Sequence, residues 1–310
     1  MKTLNIIGCG NVGKTLGRLW VQAHVFKVQD IVNRSNASSI AAVDFVQAGH
    51  VVRSIAGLRP ADVYMLGVAD QDIASCAEAL LAANILQQGN VVFHCSGALP
   101  SSVLSALHAS GAYVASIHPI KSFANPALCV HSFAGTFCGT EGDAEALDVL
   151  NSAFQTIGGE LIAIDAAHKT FYHGAGVVVS NYLTALLELG IQSYVKAGLS
   201  RSQAISIIAP IATGTIQNIA SLDTALALTG PIARGDVHTV ATQLAAFQQW
   251  QPEYGELYRL LGGVALELSA QKGVADEVGL AGLKELLKWL RKSSRDYIKA
   301  FVDHVLEVKQ

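Results

Sequence analysis

The stretch GCGNVGKT, residues 8–15, follows the strand-like run MKTLNII and satisfies two phosphate-binding patterns at once. Read as G-x-G-x-x-G, it uses Gly8, Gly10 and Gly13 and points to a dinucleotide. Read as G-x-x-x-x-G-K-T, it uses Gly8, Gly13, Lys14 and Thr15 and points to a magnesium-bound triphosphate. Both loops join a strand to a helix, so the choice rests on what lies downstream. A triphosphate site needs a metal-orienting acid on a later strand, and Asp70, after VYMLGVA, stands where one belongs. A dinucleotide site needs a specificity position about twenty residues past the last glycine. Here that position, at the end of the second strand-like run, is Asn33, followed by Arg34 and Ser35. The dinucleotide pattern fits more of the chain, so the Walker match reads as accidental.

In the dinucleotide reading Gly8 makes the tight turn and Gly10 lets the backbone approach pyrophosphate. Gly13 lets helix and strand pack closely, and Asn11 and Val12 complete the cofactor turn. An acid at position 33 would favour NAD by accepting from the adenosine ribose. Asn33 with Arg34 and Ser35 favours a 2′-phosphate, because a guanidinium grips phosphate oxygens bidentately and stacks on adenine. The expected cofactor is NADP(H).

Outward from the loop, strand-like and helix-like runs alternate as far as residue 165. Strands are expected at 3–7, 28–33, 62–70, 91–97 and 112–119, with two more near 133–138 and 160–164. Helices are expected at 11–23, 36–47, 71–83, 101–109 and 143–156. Such alternation means right-handed βαβ units on a parallel sheet. The fold class is therefore α/β: a Rossmann domain over residues 1–165, then an all-α substrate and dimerisation domain over 166–310.

The second part has no strand-like breaks. Residues 174–187 are apolar nearly all round, enough for a membrane span. Asn181, Glu188 and two glycines favour a central helix buried on every side. Further helices are expected at 201–219, about 237–249, 252–271 and about 281–307. The last of these has Leu283, Leu287, Leu290, Tyr297, Phe301 and Val305 on one side.

Nicotinamide belongs at the carboxyl ends of the strands. Three ends carry suitable groups: Val68, Ala69 and Asp70; then His94, Ser96 and Gly97; then His118 with Pro119. Small residues let the cofactor approach. Ser96 can bond the carboxamide or substrate, and His118 can orient substrate or transfer a proton. In the helical part Lys169 and His173 lie at i and i+4, with Tyr172 beside them and Asn181 about 80° round the same side. A Lys or His there can donate the proton that accompanies hydride addition to C=O or C=N, with Asn181 fixing the substrate. Lys169 would need a lowered pKa, for which burial beside His173 is a cause. In LTGPIARGD, residues 228–236, Arg234 is a natural clamp for a substrate carboxylate, and Asp236 is placed to cap a helix starting at Val237.

Composition narrows the partners. The chain has 310 residues, 51% hydrophobic and 15% charged, with a formal net charge of -3. No basic stripe with interleaved aromatics appears, so no nucleic-acid partner is expected. The N-terminus lacks the h-region of a secretory signal. Five cysteines, odd in number and without C-x-x-C spacing, read as unpaired thiols in a reducing compartment. No metal site and no membrane partner are expected, and the expected location is the cytoplasm.

Together HCSGAL, SIHPIKSF, YHGAGVVVSNY and LTGPIARGD resemble a family in which a Rossmann-like domain precedes a domain of unknown function, number 2520. The resemblance spans roughly residues 3 to 265. The wider group is similar to pyrroline-5-carboxylate reductases, ketopantoate reductases and 6-phosphogluconate-type dehydrogenases. IHP is also similar to the HP of prephenate dehydrogenases, and the fold to a deazaflavin-dependent NADP reductase. The resemblance implies NADP use, a homodimer made through the helical domain, and a catalytic Lys/Asn pair that maps to Lys169 with Asn181 or His173. Hydroxyacid dehydrogenases of the group carry Lys and Asn one turn apart, whereas His173 holds that place here. The expected activity is hydride transfer to or from a carbonyl or imine carbon of a small polar, carboxylate-bearing substrate. The alternative is a non-enzymatic NADP-binding sensor or assembly protein.

Overall fold

A computed structural model describes residues 1–288. It divides into two compact units, Met1–Tyr182 and a helical unit beginning at Leu183.

The first unit is built on one eight-stranded sheet: β1 Lys2–Ile7, β2 Phe26–Val32, β3 His50–Val51, β4 Val63–Leu66, β5 Val91–His94, β6 Tyr113–Pro119, β7 Phe137–Gly142 and β8 Glu160–Ala163. Spatial order is β3-β2-β1-β4-β5-β6-β7-β8, the Rossmann order extended at one edge. The helices are α1 Asn11–Gln22, α2 Asn36–Val46, α3 Ile73–Ala82, α4 Pro126–His131, α5 Ala144–Thr156 and α6 Lys169–Val177. The sheet's strands read as unbroken apolar runs because both faces are covered. Alternate residues go to opposite cores: Leu4, Ile6, Val63, Met65, Val91 and Phe93 to one side, Ile7, Tyr64, Leu66 and Val92 to the other. Trp20 anchors the first core. Its ring meets Phe26 and Phe154 edge-on with centroids 5.3 Å apart, and its indole N–H donates to the Ala153 carbonyl at 3.1 Å.

Three details depart from the expectation. β7 runs antiparallel to β6, with Ile117 opposite Thr140 and His118 opposite Gly139. The link between them holds only the short α4, and the chain turns back on one edge, with the Ile120 N–H donating to the Phe137 carbonyl at 2.8 Å. Residues 101–110 form 3-10 turns rather than an α-helix. Pro100 gives them no side-chain cap, and the Ser101 N–H and hydroxyl are both taken by Glu141, at 2.7 and 2.6 Å. The two-residue β3 is too short for periodicity to register.

After α6 comes a single π turn, Val178–Tyr182, and the division between units falls at its end. Residues 166–182 thus group with the sheet. The second unit comprises α7 Leu183–Lys196, α8 Arg201–Leu222, α9 Thr224–Ala227, α10 Val237–Trp250, α11 Pro252–Lys272 and α12 Glu277–Lys288. Ser200 and Gln203 form a capping box at α8, and Asp236 caps α10 as expected, accepting from the Thr239 N–H at 3.0 Å. The core of this unit is small, centred on Val240, Leu283 and Leu287. The expectation of a helix buried all round is corrected: no residue of α7 is buried. The neighbouring α8 exposes Ile205, Ile211, Ile216 and Ile219. Ala166–Lys196 and Arg201–Leu222 are long and apolar enough to cross a membrane by length and composition. Beyond Leu287, the expected apolar stripe of Leu290, Tyr297, Phe301 and Val305 lies outside the described residues.

Candidate active site

The glycine turn decides between its two readings by its shape. α1 begins at Asn11, directly after Gly10, so only Gly8–Gly10 separate strand from helix. Lys14 is already a full turn into the helix, its N–H donating to the Gly10 carbonyl at 2.8 Å. Thr15 is fully buried and its hydroxyl donates to the Asn11 carbonyl at 2.8 Å. Neither residue is placed as a triphosphate loop requires. Gly8 has φ of +82°, and a β-carbon there would lie 2.5 Å from the Val68 side chain and 2.7 Å from its backbone nitrogen. A β-carbon on Gly13 would meet the Gly8 carbonyl at 3.3 Å, which is the close helix–strand approach. Around Gly10 the space is open, with nothing within 4 Å of a β-carbon. Gly10 caps α1 without a side chain, and the first-turn N–H groups of Asn11, Val12 and Gly13 have no intrahelical acceptor. An open turn at a helix N-terminus is the cradle a pyrophosphate fits.

From this turn a groove of about 640 Å³ runs past the ends of β2 and β4, lined by Gly8, Gly10, Asn33, Arg34, Val68 and Ala69 among others. Asn33 has a structural task there. Its carbonyl oxygen accepts from the Cys9 N–H at 2.6 Å and its amide donates to the Ser38 carbonyl at 2.9 Å, locking the glycine turn to the start of α2. Ser35 caps α2 and does not line the groove, whereas Ser38, one turn on, does. Lys14, Arg53 and Ser54 also line it, and sequence reasoning did not assign them to cofactor binding. Arg53 and Ser54 follow a strand too short to recognise, although their repeat of the Arg34–Ser35 pair was visible. The first two carboxyl-end candidates, Val68 and Ala69, face the groove. Asp70 opens the 3-10 turn after them and exerts its charge on both His118 and Lys169.

A second cluster lies at the ends of β5 and β6. A β-carbon on Gly97 would come 2.7 Å from the His173 ring and 2.8 Å from the His118 ring, so the two histidines flank this glycine. Their ring centroids are 6.1 Å apart. His118 Nδ1 is 2.8 Å from the Tyr172 hydroxyl. The Gly139 N–H faces the same phenol oxygen, so the phenol proton is assigned to Nδ1 and the remaining imidazole proton to Nε2. Burial, then the neighbouring His173 and Lys169, push His118 down to about 4, so it is neutral near pH 7. Burial pushes Tyr172 up to about 12, so it keeps its proton. His94 is fully buried, accepting from the Ser96 N–H at 3.2 Å and facing the Pro100 carbonyl at 3.3 Å; burial holds it near 4. It is a structural residue. The Ser96 hydroxyl accepts from the Ala98 and Leu99 N–H groups and shapes the Gly97 turn.

Lys169 is not where a proton donor to substrate would stand. It is 1% exposed, and its ammonium reaches down to Ser116 Oγ at 2.5 Å, the Ser96 carbonyl at 3.2 Å and Glu141 Oε1 at 3.2 Å. Burial lowers its pKa and Glu141 opposes that shift. The expected neighbour, His173, is one turn on and exposed. Asn181 is exposed within the π turn, which rotates it off the register that a continuous α-helix would give. Arg234, exposed on a 3-10 turn, belongs to the second unit. All five cysteines are free thiols, and no cluster of metal-ligating side chains occurs among the described residues.

Comparison with known proteins agrees with this architecture. Residues 2–119 match a Rossmann-like domain and residues 136–264 match the Domain of unknown function DUF2520. A protein from Thermotoga maritima is 26% identical, with a TM-score of 0.70 over 87% of this chain and 99% of its own. A Bacteroides fragilis protein described as a candidate NADP oxidoreductase is 18% identical, with a TM-score of 0.68 over 85% and 97%. Plasmodium falciparum pyrroline carboxylate reductase, solved with NADP bound, is 14% identical, with a TM-score of 0.54 over 88% and 98%. No curated protein matches the sequence. The fold is one shared with nicotinamide-dependent oxidoreductases, and the chain carries a Rossmann-like domain followed by a DUF2520 domain.

Proposed function

We propose that this chain is an NADP(H)-dependent oxidoreductase acting on the carbonyl or imine carbon of a small polar substrate that carries a carboxylate. The observation that carries the reading is the open Gly10 turn at the α1 N-terminus, leading along the groove to Arg34. The first-turn N–H groups of α1 would hold the pyrophosphate, and Arg34 with Ser38 the 2′-phosphate. When bound, nicotinamide supplies or accepts the hydride. The chain's own residues do the rest. His118 offers its Nε2–H to the substrate oxygen or nitrogen, a hydrogen bond that strengthens as negative charge develops there. Tyr172 fixes that tautomer from behind. His173, exposed on the other flank of Gly97, moves the proton. Asn181, in the π turn that follows α6, orients the substrate. Lys169 is a positioning residue: its buried contacts tie the start of α6 to β5, β6 and β7, so Tyr172 and His173 arrive beside His118. The exposed apolar faces of α7 and α8 offer a second copy of the chain a surface on which to form a homodimer. The test is NADPH oxidation across a panel of 2-keto acids and cyclic imines, for wild type and His173→Ala. Turnover with some panel member, lost in the variant, is expected. NADPH binding without turnover on any member would leave a binding protein and sink the enzymatic reading.

A further inference from the structure

We infer that Arg53, with Arg34, forms a two-sided clamp for a phosphomonoester on the adenosine-side ribose, and that Arg53 is a specificity-determining residue for it. This rests on the dinucleotide reading above. The placement follows from sheet register. β3 pairs in parallel with β2, Asp30 opposite His50 and Ile31 opposite Val51, and the Val52 N–H donates to the Ile31 carbonyl at 3.1 Å. Two residues further, Arg53 leaves β3 level with the point where Asn33 and Arg34 leave β2. Both arginines are exposed, both line the same groove, and neither has a carboxylate partner among the described residues.

The acids nearby do not cancel this charge. Asp30 on β2 is fully buried and bound by Arg59, with nitrogen–oxygen distances of 2.6–3.1 Å. Asp72 is the carboxylate lining the groove, and it lies in the turn after β4 with Ser75 and Cys76. At the β2 and β3 ends the lining offers Arg34, Arg53 and the hydroxyls of Ser38 and Ser54. No carboxylate stands at this end to accept from ribose hydroxyls, and the side-chain oxygen of Asn33 already accepts from the Cys9 N–H. Two guanidinium groups with no carboxylate between them suit a dianion better than a neutral diol. Two guanidinium forks from adjacent strands can take different oxygens of one phosphate, so removing either costs more than a point charge would.

The test is calorimetric titration of the full chain with 2′,5′-ADP and with 5′-AMP, and of NADPH against NADH. Arg53→Ala should weaken 2′,5′-ADP and NADPH by about tenfold or more, the scale of a charge-assisted pair, while 5′-AMP and NADH change by less than about threefold. Arg53→Lys, which keeps charge but loses the fork, should fall between. The double variant with Arg34→Ala should lose less than the product of the two single effects, since both grip one group. Equal loss for both nucleotides, or none for either, overturns the clamp while leaving the cofactor reading intact. A wild-type chain that binds neither 2′,5′-ADP nor NADPH refutes both together.

Discussion

Replacing Gly10 by valine separates folding from binding, because the two glycines of the turn do different work. A side chain at Gly10 meets nothing within 4 Å, and its φ of −77° is one any residue adopts. Gly10 is the N-cap of α1 and makes no side-chain cap bond, so exchanging it for valine costs about 1 kcal/mol at most. The new isopropyl group nevertheless fills the space through which pyrophosphate must approach the first-turn N–H groups. Without the substitution, NADPH at about 100 times its Kd stabilises the fold by about 2.7 kcal/mol. For a unit of this size that is a rise in Tm of roughly 5–10 °C. A hundredfold loss of affinity leaves about 0.4 kcal/mol, a shift of about 1 °C. Gly8→Ala is the control. Its β-carbon collides with Val68 at 2.5 Å and its φ is +82°, so the apo protein should lose more than about 2 kcal/mol. Thermal melts of both variants, with and without NADPH, read all of this. If Gly10→Val keeps the full ligand-induced shift, or if its apo form melts as low as Gly8→Ala, the assignment of the turn is wrong.

Three further outcomes follow from the second cluster. Burial holds His94 near 4 against an ordinary 6.5, so below pH 6.5 the unfolded chain takes up a proton first. Stability is therefore complete above that pH and declines as pH falls toward 4, by about 2 kcal/mol at pH 5 from this residue alone; urea titrations should find the decline shallower in His94→Gln. Lys169→Met leaves Glu141 buried without its cation and should cost about 3–5 kcal/mol, with Glu141→Gln in the same chain recovering part of it; a double-variant loss equal to the sum of the two single losses would show the pair to be uncoupled. Gly97→Ala puts a methyl group 2.7 Å from the His173 ring and 2.8 Å from His118, so kcat should fall at least about tenfold while NADPH affinity holds within about threefold, and unchanged kcat would remove these histidines from the site.

Much of the first unit was legible because its rules are local. The two-faced burial of the sheet makes β1, β4 and β5 continuous apolar runs, and the glycine spacing is dictated by the turn itself. Asp236 could be assigned as a cap from its place before an apolar-periodic run. What sequence could not give depends on pairing between distant segments. The reversal of β7 brings Glu141 to Lys169 across 28 residues and Gly139 to Tyr172. No spacing rule announces either, so the lysine expected to be buried and to donate a proton proved to be buried with its ammonium held by Ser116 and Glu141. Arg53 reaches the groove only because a two-residue strand aligns it with Arg34. The π turn displaced Asn181 for the same kind of reason: a single extra residue changes the helical register, and composition does not reveal it. The helix read as buried all round is exposed, since an apolar sequence records what a helix will be covered by without saying which molecule supplies the cover.

The most direct test of the central claim is equilibrium binding of NADPH and of magnesium-ATP to the purified wild-type chain, under the same buffer and salt. The glycine turn described here requires saturable, one-to-one NADPH binding that does not depend on magnesium and is weakened by Gly10→Val. Magnesium-dependent ATP binding with no affinity for NADPH would contradict it.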